Sequence, residues 1–456
     1  RLSPGERYEE WWRIQRGEAP IVIGARSAVF APVPALGLII MDEEHDSSYK
    51  QEESPRYQTR EVAEFRAREE GAVLILGSAT PAVETYYRGQ RGAYRLLELK
   101  TRVDGREMPQ MELVDMRREL EAGNSSIFSR KLQLRIKETL AAGEQAILFL
   151  NRRGYANFVL CRQCGYVALC PNCDVALTYH GHGERLCCHY CYYREDVPRT
   201  CPVCHSVYIR HFGLGTERVE REVQRLFPEA RTLRMDLDTT RKKDAHGQIL
   251  ETFARGEADI LIGTQMVSKG IDIPRVTLVG IISADTSLNF PDFRAGERTF
   301  QLITQVAGRA GRGEKRGKVV IQTYNPDHYS IQAACRHDYQ AFYQREIENR
   351  KALAYPPFSQ LVSMVVSASA EDRAAKAAGR LVERLRRELP PHCRLYGPGP
   401  APLARIRGRY RYQIVVKGAG LYALAGFWTR LRREFEQGPG RNGIGFTFDI
   451  APVSLL

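Results

Sequence analysis

The chain has 456 residues, of which 43% are hydrophobic and 27% charged. At roughly 150 residues per domain this is enough for about three domains, and the balance excludes a disordered or fibrous protein. Apolar runs free of glycine are short, as in Leu38 to Met41, so no segment is long enough to cross a membrane as a helix. Lys and Arg number 67 against 54 Asp and Glu, a net charge of +13 that favours phosphate-bearing partners. From residue 346 onward the count is 18 against 9, so most of the excess is C-terminal. Position 1 is Arg and no leader pattern of charged, apolar and small residues follows, so no secretory signal is expected.

Taken in chain order, Ile21 to Ile23, Leu38 to Met41 and Val73 to Leu76 are short apolar runs, and Thr59 to Glu70 reads as a helix between the last two. This is a parallel α/β pattern. After connectors at Gly105 to Pro109 and Ala122 to Ser126, a second series opens with a helix over Arg130 to Ala142 and a buried strand over Ala146 to Leu150. It breaks at Cys161 and resumes near Gly215 with a helix to Leu226, a strand to Met235, a helix near Asp244 to Ala254, and strands at Asp259 to Ile262 and Val276 to Ile282. One α/β domain carrying a cysteine-rich insertion is expected. Beyond Arg345, strands at Ser359 to Ser367 and Tyr410 to Val416 and helices at Glu371 to Glu388 and Leu421 to Phe435 suggest a compact α+β domain. The expected domains are 1–120, 121–345 with an insertion at 158–212, and a basic 346–456.

Nine of the eleven cysteines fall between Cys161 and Cys204, eight of them as the pairs Cys161/Cys164, Cys170/Cys173, Cys188/Cys191 and Cys201/Cys204. Two such pairs can complete a tetrahedral site of four thiolates, so four pairs predict two structural Zn²⁺ ions with no open position for catalysis. Disulfides or an iron–sulfur cluster are the alternatives. Spacing alone does not decide which pairs share a metal. The two middle pairs are 14 residues apart and the first two pairs only five, so a nested arrangement is the working choice, with Cys161, Cys164, Cys201 and Cys204 on one zinc and Cys170, Cys173, Cys188 and Cys191 on the other. Cys187 offers a competing register beside Cys188. His180, His182, His189 and His205 could substitute in principle, but a histidine near zinc is more often a surface residue or a support to the ligands, and Cys335 and Cys393 read as core residues.

The strand Leu38 to Met41 ends in Asp42-Glu43-Glu44-His45. At the C-terminal edge of a parallel sheet the first acid can hold Mg²⁺ through water and the second can polarise a water attacking a γ-phosphate. Gly77-Ser78-Ala79-Thr80 follows the next strand, where small residues allow close backbone approach and hydroxyls can relay between sites. Ile262 to Gly270 closes another strand. Gln305 to Arg312 carries Arg309 and Arg312 three apart, on one face if helical and able to meet phosphate charge across a cleft.

In this order the four segments resemble motifs II, III, V and VI of superfamily 2 helicases. With Phe149 to Gly154 in the motif IV region and the eight-cysteine insertion after it, the chain resembles the primosomal protein N′ family of replication-restart helicases. The resemblance implies RecA-like lobes, the first one partial, a two-zinc insertion in the second lobe and a C-terminal domain that helps bind branched DNA. It also implies the nested zinc pairing. Asp42, Gly270, Arg309 and Arg312 would bind ATP and Mg²⁺, Glu43 would activate water and Gln305 would position the nucleotide. Single-stranded and forked DNA, primosome proteins and single-stranded DNA-binding protein would be partners, in the bacterial cytoplasm at the nucleoid.

Two departures qualify that expectation. No Gly-x-x-x-x-Gly-Lys-Ser/Thr loop precedes Asp42, which suggests a fragment beginning inside the first lobe that would not hydrolyse ATP appreciably alone. An ATPase-dead zinc-ribbon DNA adaptor with a helicase fold is the alternative. Gly270-Ile271-Asp272-Ile273-Pro274 is also more acidic than the family pattern.

For DNA, Tyr49, Lys50, Arg56 and Tyr57 interleave rings and cations just after the acidic box, a composition suited to stacking on unpaired bases. Arg26 lies in a turn suited to backbone contact. Arg405, Arg407, Arg409 and Arg411 alternate and, if extended, would project from one face as a phosphate stripe.

Overall fold

The computed structural model describes residues 3–99, 107–151, 158–180, 185–212, 215–236, 239–240, 245–264, 267, 273–311, 313, 315–437 and 443–455. Six parallel strands form the main sheet in the order Thr232–Met235, Ile260–Gly263, Gln145–Phe149, Val276–Ile281, Lys318–Thr323 and Gln110–Asp115. The central strands Gln145–Phe149 and Ile260–Gly263 are buried throughout, as continuous apolar runs covered by helices on both faces should be. One face packs on Leu132 and Ile136 of helix Arg130–Ala141, which starts where Ser129 Oγ accepts the Leu132 amide at 3.2 Å. The other face packs on Phe300 and Ile303 of helix Ala295–Ala307. Gln110–Asp115 pairs in register with Lys318–Thr323. This sheet therefore begins before the boundary expected at residue 120.

Ahead of it, Leu38–Met41 pairs in parallel with Val73–Leu76. Ile39, Met41, Leu74 and Leu76 pack with Val29 and with Ala63 of helix Thr59–Glu70. The alternate residues Leu38, Ile40, Val73 and Ile75 face outward and are 46% to 63% exposed. Ile21 to Ile23, expected as a strand, has no sheet pairing among the described residues, and both isoleucines are exposed.

The cysteine-rich segment leaves the main sheet on an antiparallel stem, Phe158–Cys161 with Ile209–Phe212, and holds a small sheet of Thr178–His180, Arg185–Cys187 and Arg194–Asp196. The C-terminal sheet is antiparallel, ordered Arg394–Ile406, Arg409–Gly418, Gln360–Ala368 and Gly445–Ile450. Helix Glu371–Glu388 covers it with Ala377, Ala378, Leu381 and Leu385, and Trp428 and Leu431 of helix Ala425–Gln437 complete that core. The long strand Arg394–Ile406 lies at an edge, where its prolines remove donors the sheet does not need.

Candidate zinc and nucleotide sites

The eight paired cysteines converge as two groups, Cys161, Cys164, Cys201 and Cys204, and Cys170, Cys173, Cys188 and Cys191, with the sulfurs of each group within 4.8 Å of one another. Sγ–Sγ separations of 3.6 Å for Cys161 and Cys204 and 3.5 Å for Cys164 and Cys201 and for Cys170 and Cys191 lie near the edge of about 3.8 Å set by four Zn–S bonds of ~2.3 Å. None of these cysteines is in a disulfide. The two sites fit two zinc ions in the nested pairing, and Cys188 rather than Cys187 is the ligand.

All four knuckles use one turn. The carbonyl of the first cysteine accepts the amide four residues on (Gly165, Asp174, Tyr192, His205), each at 2.9 Å, and its own amide donates to the carbonyl five residues on (Tyr166, Val175, Tyr193, Ser206), at 2.8 to 2.9 Å. The residue four on has positive φ each time: 80° at Gly165, 53° at Asp174, 63° at Tyr192 and 57° at His205. Amides aimed inward support the sulfurs, as where the Tyr190 N–H reaches Cys188 Sγ at 3.4 Å.

The zinc segment and the C-terminal sheet share a core in which Cys173, Leu177 and Cys188 pack with Tyr355, Leu361, Val415 and Leu455. The Tyr355 hydroxyl donates to the Cys173 carbonyl at 3.0 Å, and the Tyr192 hydroxyl donates to the Gln413 carbonyl at 2.9 Å. The Tyr192 ring lies against Gly399, where a Cβ would fall inside van der Waals contact of it.

In the acidic box, the exposed Asp42 follows directly on its strand, and Glu43 has a φ of 47°, which turns the chain sharply after it. The Tyr49 hydroxyl donates to the Asp42 carbonyl at 2.7 Å, joining the aromatic loop to the box. His45 Nδ1 lies 2.7 Å from Ser78 Oγ and 3.4 Å from a Glu43 carboxylate oxygen, bridging the box to Gly77-Ser78-Ala79-Thr80.

Glu44, Glu297 and Arg350 were not singled out from the sequence, yet they tie these parts together. Glu44 accepts the Ala82 amide at 2.7 Å and the Thr85 hydroxyl at 2.8 Å, and Glu297 accepts the Val83 amide at 2.8 Å. Two carboxylates distant in sequence thus cap one helix start, that of Val83–Gln90. Burial pushes both carboxyls above the ordinary glutamate range, against the pull of Arg60 on Glu44 and of Arg350 on Glu297. Arg350, 2% exposed at its side chain, meets Glu297 at 2.6 Å, Glu346 at 2.7 Å and Glu84 at 3.3 Å. The acidic run itself hinted at Glu44; nothing local marks the other two.

Helix Ala295–Ala307 carries Glu297, Gln301 and Gln305 at intervals of four, on one face. Glu297 reaches the Val83 amide and the Gln301 side chain donates to the Thr80 carbonyl at 3.4 Å, so this face meets the Gly77–Thr80 segment and the helix after it. Gln305 is half-buried one turn farther along, and Arg309 is half-buried just past the helix end. Gly270 and Arg312 lie outside the described residues.

Several DNA expectations change. Lys50 is buried, its ammonium 2.7 Å from Asp449 Oδ1, 2.8 Å from the Ile450 carbonyl and 3.2 Å from that of Ala451, so it ties the loop to the C-terminal sheet and does not reach a phosphate. Arg26 donates to the carbonyls of Ser48 at 3.0 Å and Lys50 at 3.2 Å, bracing the same loop. Arg56 is exposed and lies 3.4 Å from Asp449, and the Tyr57 ring stands edge-on to Phe30 at 4.9 Å.

The four arginines do not form one stripe, because a turn at Arg407 and Gly408, with φ of 48° and 77°, separates the strands that carry the others. Arg405 pairs with Tyr410 and so falls on the opposite side of the sheet from Arg409 and Arg411. Arg409 donates to the Ser367 carbonyl at 2.8 Å and Arg411 to that of Leu403 at 3.1 Å. Arg405 and Arg407 are exposed.

Residues 351–453 match the family described as the primosomal protein N C-terminal domain, 211–314 the helicase conserved C-terminal domain, and 170–195 the PriA DNA helicase Cys-rich region. The chain is 51% identical over 455 residues to replication restart protein PriA of Bacillus subtilis (strain 168), covering all of this chain and 56% of that protein. To that of Treponema pallidum (strain Nichols) it is 43% identical, covering all of this chain and 68% of that one. It therefore spans about half the length of the first of these relatives. Among solved structures, RecG bound to a three-way DNA junction aligns over 78% of this chain and 38% of its own at 15% identity and a TM-score of 0.37, a likeness too loose to bear on the sites. With its two four-cysteine zinc sites and a relative matched over two thirds of its length, the chain belongs to the replication restart protein PriA family.

Proposed function

We propose that this chain is the core of an ATP-dependent 3′-to-5′ DNA helicase that binds stalled or branched forks and starts primosome assembly together with single-stranded DNA-binding protein, in the bacterial cytoplasm at the nucleoid. The observation that carries the reading is the meeting of the acidic-box strand and helix Ala295–Ala307 at one helix start, through Glu44 and Glu297. A hydrolysis site split between two lobes needs such a joint, because the water-activating acid and the phosphate-facing arginines must move together.

In this reading Asp42 holds the hydrated Mg²⁺ of bound nucleotide, Glu43 takes the proton of the attacking water, Gln305 orients the nucleotide, Arg309 and Arg312 meet developing phosphate charge, and Gly270 is a further nucleotide contact. Bound Mg²⁺·ATP supplies the phosphoryl group and its charge-neutralising metal. Arg56, Tyr57, Arg405 and Arg407 are the DNA contacts that the geometry leaves exposed or half-exposed, and the Tyr49 hydroxyl on the Asp42 carbonyl is the route by which a bound strand reaches the box. The domains proposed are 3–109, 110–345 with the zinc segment within it, and 346–456.

The test compares ATP turnover, with and without a fork bearing a 3′ tail, by this chain and by the product of the whole reading frame. The 456-residue chain, which has no Gly-x-x-x-x-Gly-Lys-Ser/Thr segment, is expected to be inactive and the longer protein active. Glu43→Gln in the longer protein is expected to cost about 10²- to 10⁴-fold in turnover while DNA binding persists. Full turnover by Glu43→Gln would defeat the assignment, and a longer protein that binds forks without hydrolysis would favour the adaptor reading.

A further inference from the structure

Beside the second zinc site lies a cluster that the eight-cysteine pairing leaves over. His180, Cys187 and His189 bring one ligand atom each to within 4.8 Å of the others. His180 ends strand Thr178–His180 and Cys187 ends strand Arg185–Cys187; Thr178 pairs with Cys187 and His180 with Arg185, so histidine and cysteine lie on one face of the small sheet. His189 comes from inside the knuckle of Cys188 and Cys191, whose turn fixes its backbone. Adjacent cysteines thus separate: Cys188 joins the four-thiolate site, and Cys187 joins the two histidines.

The Nε2 atoms of His180 and His189 are 3.1 Å apart, close to the edge of about 3.3 Å between two nitrogens bound at 2.0–2.1 Å to one tetrahedral zinc. His189 and Cys187 are buried, and His180 is half-buried. Thr178 Oγ1, buried beside the cluster, has no hydrogen-bond partner among the described residues. The Cys187 thiol donates over a long 3.7 Å to the Cys188 carbonyl, which leaves its sulfur lone pairs for a metal.

We propose that His180, Cys187 and His189 form a third metal site, distinct from the two four-cysteine sites, that takes a borderline first-row divalent cation, zinc in the cell. Two imidazole nitrogens and one thiolate select such a cation over hard Mg²⁺ or Ca²⁺. On binding, Cys187 releases its thiol proton to solvent and each histidine offers a neutral nitrogen. Three protein ligands leave a fourth position for water or an external donor, which the four-cysteine sites do not have. The site is weaker and more exchangeable than its neighbours, since one ligand fewer closes it.

The test uses the 456-residue chain with both four-cysteine sites loaded, titrated with Co²⁺ and followed by absorption, with bound metal counted by mass spectrometry. The wild type is expected to take up one further equivalent with tetrahedral ligand-field bands and one thiolate-to-cobalt charge-transfer band. Cys187→Ala and His180→Asn are expected to lose that equivalent while keeping the two zinc ions. Should Cys187→Ala also lose zinc from the adjoining site, His180→Asn decides, because it lies outside every knuckle. No further equivalent in the wild type, or the same bands in His180→Asn, overturns the proposal.

Discussion

The Lys50 ammonium lies 2.7 Å from Asp449 Oδ1, joining the loop after the acidic box to the last strand of the C-terminal sheet. The lysine side chain is 2% exposed and the aspartate 11%. Arg56 approaches the same carboxylate at 3.4 Å. One acid therefore receives two cations from the loop that carries Tyr49 and Tyr57.

Asp449→Ala leaves the Lys50 charge buried with only carbonyls for company, and the expected loss is about 3–5 kcal/mol in urea denaturation. Lys50→Met, which removes the buried charge as well, should cost clearly less. Equal losses in the two variants would mean that packing rather than charge holds the loop.

Gly399→Ala is expected to cost about 1–3 kcal/mol, because the new methyl meets the Tyr192 ring and the edge strand cannot move away without breaking its ladder. Adding Tyr192→Ala should return part of that loss. A double variant no better than the sum of the singles would contradict contact at this point.

Chelating zinc should unfold the cysteine-rich segment and also loosen the C-terminal sheet, because Leu361 and Val415 share their core with the cysteines. Hydrogen exchange reads this directly. Protection at Leu361 and Val415 should fall on chelation, while Ile147 and Val320 in the main sheet should keep theirs.

Glu84 contributes a pH dependence of defined sign. Burial pushes its carboxyl up, but the Arg350 and Arg294 guanidiniums outweigh that and hold it down to about 2, from an ordinary 4.5. Because its folded value lies below its unfolded one, this stabilisation is complete above the ordinary value and is lost as pH falls toward 2. Glu84→Gln should flatten the decline of stability between pH 4.5 and pH 2. An unchanged acid profile would mean that other carboxylates carry it.

Parts of the molecule where chemistry and spacing coincide were legible from sequence. Paired cysteines are their own site, and helix Glu371–Glu388 announces itself because its apolar positions recur at helical intervals. Strand Arg394–Ile406 was not legible, since Pro398, Pro400 and Pro402 with Gly397 and Gly399 are residues that strands disfavour, and only an edge position accommodates them. The arginine stripe failed for a local reason: a turn at Arg407 and Gly408, both at positive φ, interrupts the alternation. Lys50 failed for a long-range one, as nothing near it in sequence foretells Asp449.

The four identical knuckle turns have a further consequence for how the segment is held. At two of the left-handed positions a neighbouring part of the chain, not the metal, decides what can stand there. At Gly165 the Tyr324 carbonyl comes so near that any Cβ would collide with it, whereas at Tyr192 a full aromatic ring enters the space that Gly397 and Gly399 leave open. The same bend, made at both places, rivets the metal-bearing segment to two different parts of the chain. Loss of metal at either cluster should therefore be felt first as slippage between domains, before any helix melts.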